Sequence, residues 1–190
     1  MLTRLFARFP DYTIVERPSP ALIAHYRYQL PPEVLSVWEQ YGFGIFCDGY
    51  LKVVNPEDYA DLLADTCQLT DSPVLPPALV LFATAMGDLL IWEDGYLSII
   101  NYRHGLTDII SKGTHFFFSD LAESNMLVEE LQWEPYLAAR ERLGEPAYDE
   151  CFGYVPLLAL GGPETVEQLQ TVKLREHIAL IAEFTGMLER

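Results

Sequence analysis

Between residues 79 and 110 the chain passes through four apolar, β-compatible runs in succession, at 79–83, 88–92, 96–101 and 106–110. The separators contain Met86 and Gly87, Glu93, Asp94 and Gly95, and His104 and Gly105. Separators this short and glycine-containing suit tight hairpin turns, so the arrangement predicts an antiparallel meander. Leu89-Leu90-Ile91-Trp92 and Ser98-Ile99-Ile100 do not alternate cleanly between apolar and polar. A strand of that kind is covered on both faces, and the segments before and after the meander must supply the cover.

Those flanking segments read as helices. Leu2, Leu5, Phe6 and Phe9 recur at helical spacing before Pro10. Ser19 is placed to cap a second helix with Pro20 in its first turn, and Pro31-Pro32 opens a third that ends near Tyr41 with Gly42 as a left-handed stop. The segment 50–54 is short and β-rich. Asn55 then caps a helix with Pro56 at its first position, on which Tyr59, Leu62 and Leu63 face inward while Asp58, Asp61 and Asp65 line another side. From Ser119 the pattern is helical again, with Glu134-Pro135 expected to interrupt it before 136–143 resumes. An extended run at 151–160 closes on Gly161-Gly162-Pro163, and Leu174, Ile178, Ile181, Phe184 and Leu188 mark a terminal amphipathic helix. The fold class expected is α+β: a central antiparallel sheet of about four or five strands packed by N-terminal and C-terminal helices.

Charge narrows the function classes. Of 190 residues 12 are Lys or Arg and 28 Asp or Glu, a formal net charge of −16 spread along the whole chain. That balance disfavours direct binding to a phosphate backbone and suits a partner with a basic surface. The three cysteines, Cys47, Cys67 and Cys151, are widely spaced and form no zinc-ligand pattern, which fits a reducing cytoplasm. Arg4 and Arg8 break the apolar N-terminal stretch, so it does not read as a secretory signal. The uncharged stretch 72–87 is interrupted by Pro73, Pro76 and Pro77, and no membrane span is expected. Local nucleophile-elbow, phosphate-loop, zinc-protease, dinucleotide and EF-hand patterns are absent, and His25, His104, His115 and His177 are scattered. An acidic surface would act mainly on association rate and partner choice, with tightness coming from aromatic anchors; the chain has 11 Tyr, 10 Phe and 3 Trp.

The stretch Leu30-Pro31-Pro32-Glu33-Val34-Leu35-Ser36-Val37-Trp38-Glu39-Gln40-Tyr41-Gly42-Phe43-Gly44, followed by Asp48-Gly49-Tyr50-Leu51-Lys52-Val53-Val54-Asn55-Pro56, resembles the GAD-related domain of bacterial proteins. Downstream, Phe152-Gly153-Tyr154-Val155-Pro156-Leu157-Leu158-Ala159-Leu160-Gly161-Gly162-Pro163 with the terminal helix resembles the C-terminal domain of type VI secretion immunity proteins. The resemblance divides the chain into a GAD-related region, 1–115, and an immunity-protein C-terminal region, 116–190, packed as one unit with the boundary near 114–120. It implies a cytoplasmic antidote, without cofactor, that binds a cognate antibacterial toxin, in the best-described members a DNase, and blocks it. It supplies no catalytic residue. Similar phrases occur in SMI1/KNR4-like proteins, which leaves open an immunity or regulatory protein with a non-nuclease partner.

The partner-binding residues expected are therefore Asp58, Asp61 and Asp65 on one helix face, with Glu93 and Asp94 on a tight turn. The enzymatic alternative, reversal of a toxin's covalent modification, would require Cys151 or Cys47 assembled with a histidine.

Overall fold

Seven strands lie side by side in chain order in the computed structural model, which describes residues 2–68 and 77–189. They are β1 (Thr13–Glu16), β2 (Phe43–Phe46), β3 (Leu51–Val53), β4 (Leu79–Thr84), β5 (Leu89–Glu93), β6 (Tyr96–Asn101) and β7 (Leu106–Lys112), each antiparallel to its neighbours. The four apolar runs are β4 to β7, and the β-rich segment at 50–54 supplies β3. The sheet is nonetheless wider than the four or five strands expected, because β1 and β2 join it. β1 is four exposed residues at the edge and β2 four buried ones, too short for either to show a period of its own. A separate hairpin pairs β8 (Glu150–Tyr154) with β9 (Leu169–Lys173), the latter also unforeseen.

Turn chemistry fixes the register. Asp94 and Gly95 both take positive φ, 49° and 82°, between the paired residues Glu93 and Tyr96. This is the primed-turn conformation whose twist matches antiparallel strands. In β4 a bulge between Val80 and Phe82 turns Leu81 and Phe82 toward the same core.

Eight α-helices surround the sheet among the described residues: α1 (Leu2–Arg8), α2 (Pro20–Tyr26), α3 (Pro32–Gln40), α4 (Ala60–Thr66), α5 (Thr114–Glu123), α6 (Met126–Glu129), α7 (Glu134–Leu143) and α8 (Leu174–Thr185). The expected caps are in place. The Ser19 hydroxyl accepts from the Leu22 N–H at 3.1 Å, and the Asn55 side chain accepts from the Glu57 N–H at 3.2 Å. Pro56 opens a 3-10 turn that leads into α4. Gly42, at φ 77°, ends α3. Helix α5 begins at Thr114, ahead of the expected Ser119, and it spans residues 115 and 116, where the sequence suggests the two regions divide. Glu134 and Pro135 open α7 instead of interrupting a helix, since proline fits the first turn, where no intrahelical N–H bond is lost. The breaks fall at Ser124 and around Gln132.

Strand alternation sends side chains into two cores. Leu90, Leu97 and Ile99 join Val34, Trp38, Phe117, Phe118 and Leu121 from α3 and α5. Leu89, Ile91 and Ile100 join Leu62 and Leu63 of α4 and Leu174, Ile178 and Ile181 of α8. The sheet is thus covered on both faces, as its broken alternation implies. Phe184, expected on the inner stripe of α8, is instead 55% exposed. Residues 72–76 of the uncharged stretch lie outside the described residues. Among those described, no helix is long and apolar enough to cross a membrane.

Candidate functional site

The acidic face of α4 is one wall of a groove of about 490 Å³. Tyr59, Leu62 and Leu63 bury the apolar side of this segment, which turns Asp58, Asp61 and Asp65 outward. Asp58 and Asp61, with Glu57, line the groove; Tyr148, Asp149 and Arg175 complete it. Four carboxylates thus surround one guanidinium. Arg175 donates to both oxygens of Asp61, at 3.0 and 2.9 Å, and lies 5.7 Å over the Tyr59 ring. The Leu62 N–H and the Arg175 guanidinium hold the Asp61 carboxyl below its ordinary range. Lys173, 2.7 Å from Asp149, does the same there. Tyr148 donates to the Val53 carbonyl at 2.8 Å, and burial pushes its phenol and that of Tyr59 upward, so both rings stay neutral.

The other expected contacts are dispersed. Asp65 is one turn further along α4 and does not line the groove. Glu93 and Asp94 occupy the β5–β6 turn, at the end of the sheet where β3 runs out toward Asn55. Sequence reasoning missed Tyr148, Asp149 and Arg175, whose only local signal is the acidic pair Asp149-Glu150, one of many in this chain.

Two features join the C-terminal part to the sheet. Lys52 is fully buried on β3 and donates to the Ala147 carbonyl at 2.8 Å and to that of Glu150. Burial lowers its pKa to about 8. Buried Asp88 accepts from Thr84 and Arg103, both at 3.1 Å, and Arg103 donates onward to the Gln132 side chain at 2.9 Å. On the far side of α8 an apolar groove is lined by Val155, Leu160, Leu180 and Phe184.

The arrangement gives little support to thiol chemistry. All three cysteines are buried, and burial is the leading cause that pushes the Cys47 thiol well up and that of Cys151 to about 12. A thiol held protonated is a weak nucleophile. His104 pairs with Glu164 at 2.7 Å and His115 with Glu33 at 3.6 Å, while buried His177 has its pKa lowered by desolvation. Among the described residues no group of His, Cys, Asp or Glu is arranged to hold a metal ion.

Comparison with known families matches two consecutive segments. Residues 1–104 match the GAD-like domain, and residues 111–185 match the T6SS immunity protein Tdi1, C-terminal. No curated protein matches the chain. The crystal structure of Atu4351 from Agrobacterium tumefaciens superposes with a TM-score of 0.80 at 21% identity, covering 96% of this chain and 89% of that one. At that identity the likeness shows a shared fold.

Proposed function

Because this chain belongs to the GAD-like domain family and continues into a segment matching the C-terminal part of the type VI immunity protein Tdi1, we propose that it neutralises a cognate antibacterial toxin by stoichiometric occlusion in the cytoplasm. The toxin class that fits best is a DNase, whose substrate channel must itself be basic. The observation that carries this reading is the composition of the acidic groove. Glu57, Asp58, Tyr59 and Asp61 come from the GAD-like segment, and Tyr148, Asp149 and Arg175 from the Tdi1-like segment. A single concave surface made by both matched segments is a site for a partner. Its carboxylates complement a basic surface, and its tyrosines provide rigid anchors that stay uncharged. The contact surface proposed is this groove with Asp65, Glu93 and Asp94 as outlying charges. No turnover is required.

The test is a titration of the protein into a purified cognate toxin, following DNA degradation against molar ratio. A sharp equivalence point is expected, whereas protection well below one equivalent would indicate an enzyme. Reversing Asp58, Asp61 and Asp65 to Lys should slow association about tenfold or more at low salt and flatten its salt dependence. Unchanged association by a folded triple variant would remove α4 from the interface.

A further inference from the structure

The inner side of α8 carries one residue ill suited to its place. Leu174, Ile178 and Ile181 fill the core there with aliphatic side chains, yet His177 beside them is only 8% exposed. Its ring is seated on the backbone of Gly153 in β8, where a Cβ would collide with Nε2 and Cε1. Glycine thus leaves room for an imidazole, and the ring makes no hydrogen bond or ion pair among the described residues. A buried polar ring without a partner costs free energy that an aliphatic side chain in the same seat would not.

The surroundings admit the neutral ring and not the imidazolium. Two voids beside it, both lined by Arg103, Tyr154 and Ile181, measure about 10 Å³ each, close to the limit for a single water. The apolar groove outside α8 reaches only the small exposed part of the residue. Lys173 of β9 and Arg103 of the β6–β7 turn are cations, and the carboxylates of Asp88, Glu150 and Glu164 are taken by Arg103, Lys173 and His104. Burial keeps the Cys151 thiol and the Tyr154 phenol of β8 neutral. The turn Leu158–Leu160 carries no charge. On α4, Asp61 is held by Arg175 and Asp65 faces outward. Glu176, the neighbouring residue on α8, is exposed, and adjacent helical positions do not face each other.

We propose that His177 is an acid-sensitive latch, which seals α8 onto the β8–β9 hairpin while its ring is neutral and releases the helix when the ring gains a proton. Desolvation lowers the pKa of the seated ring, whereas in solvent it is about 6.5. As pH falls through that value the released state binds the proton and the sealed state does not, so the seal weakens in acid. One proton of this kind shifts the balance by up to about tenfold between pH 7.5 and 5.5. The same helix carries Arg175, which holds Asp61 across the acidic groove. Release of α8 therefore takes Arg175 out of that groove. That this frees a toxin rests on the neutralisation reading; the latch itself does not.

The latch is tested on the whole protein by amide hydrogen exchange at pH 7.5 and 5.5, corrected for the intrinsic exchange rate. Protection of residues 175–185 should fall by up to about tenfold relative to β4–β6, and His177→Gln, which cannot titrate, should abolish that difference. Gly153→Ala pushes a methyl group against the ring and should lower the protection of α8 already at pH 7.5. Because either variant can disturb packing, the wild-type His177 ring is also titrated by NMR, where a midpoint below 6.5 shared with the amides of α8 is expected. A midpoint at 6.5 or above, or an equal acid loss in His177→Gln, overturns the latch. With a purified cognate toxin, the wild-type complex should dissociate about tenfold faster at pH 5.5 than at 7.5, measured against the His177→Gln complex. An α8 that opens in acid without changing dissociation supports the latch and removes α8 from the interface. An α8 that opens in acid in a chain that binds no toxin supports the latch and overturns the neutralisation reading.

Discussion

The two family-matched regions treat their apolar side chains differently. Of the fifteen large apolar side chains exposed among the described residues, Ile14, Val15, Tyr28 and Tyr96 precede residue 104 and the other eleven follow it. In the first region β2, β3 and β4 are buried at every position, the buried polar side chains Lys52 and Thr84 included. In the second, Phe116, Val128, Leu137, Val155, Leu160, Leu180 and Phe184 face outward from elements whose other sides close the two cores. The difference separates two tasks. The GAD-like region holds the frame together, and the Tdi1-like region covers it while leaving more apolar side chains on the surface.

Substitutions can break this contrast, and the largest effect belongs to the frame. Phe82→Ala, in β4 against Phe117 and Phe118, should cost about 4 kcal/mol in urea unfolding, whereas Phe184→Ala should cost less than about 0.5 kcal/mol. Comparable losses at both positions would erase the distinction. The join comes next. Arg103→Met leaves Asp88 buried without its cation and should cost about 3 kcal/mol, with part recovered in the Asp88→Asn, Arg103→Met double variant, where no carboxylate remains to be neutralised. A double variant no better than the single one would show that Arg103 acts through its bond to Gln132.

The smaller effect depends on pH and reports on the other tie between the regions. With its pKa lowered to about 8, Lys52 is protonated in both the folded and the unfolded chain at neutral pH. Between pH 8 and 10 the folded chain releases that proton while the unfolded chain keeps it, so the unfolded state binds more protons and this contribution to stability rises with pH. Wild type should therefore gain on Lys52→Met by roughly 2 kcal/mol across that interval, read from paired denaturation curves. A constant difference would show that the ammonium is not desolvated.

What was legible in the sequence follows the reach of the signals. The turns around Gly87, Asp94-Gly95 and Gly105, the Ser19 and Asn55 caps and the Gly42 stop are decided by a few adjacent residues, and each appears where expected. β1 was hidden because Thr13–Glu16 gains its strand character from Phe43–Phe46, across two intervening helices. The orientation of Phe184 could not be read from periodicity, because the inner contacts of α8 stop at Ile181. Half of the acidic groove was visible on α4. Its other half comes from residues 148–175, which only the folded chain brings to Tyr59.

Strand order in the sheet follows chain order, with short connections joining β2 to β3 and β4 through β7. During synthesis most strands can therefore pair with one just made, at little loop-closure cost. The cover over Leu89, Ile91 and Ile100 comes much later, because it needs Leu174, Ile178 and Ile181 of α8. A ribosome that stalls before Leu174 leaves a nearly finished meander with that face covered by α4 alone. The product then exposes apolar surface prone to aggregation and is not a smaller version of the folded protein.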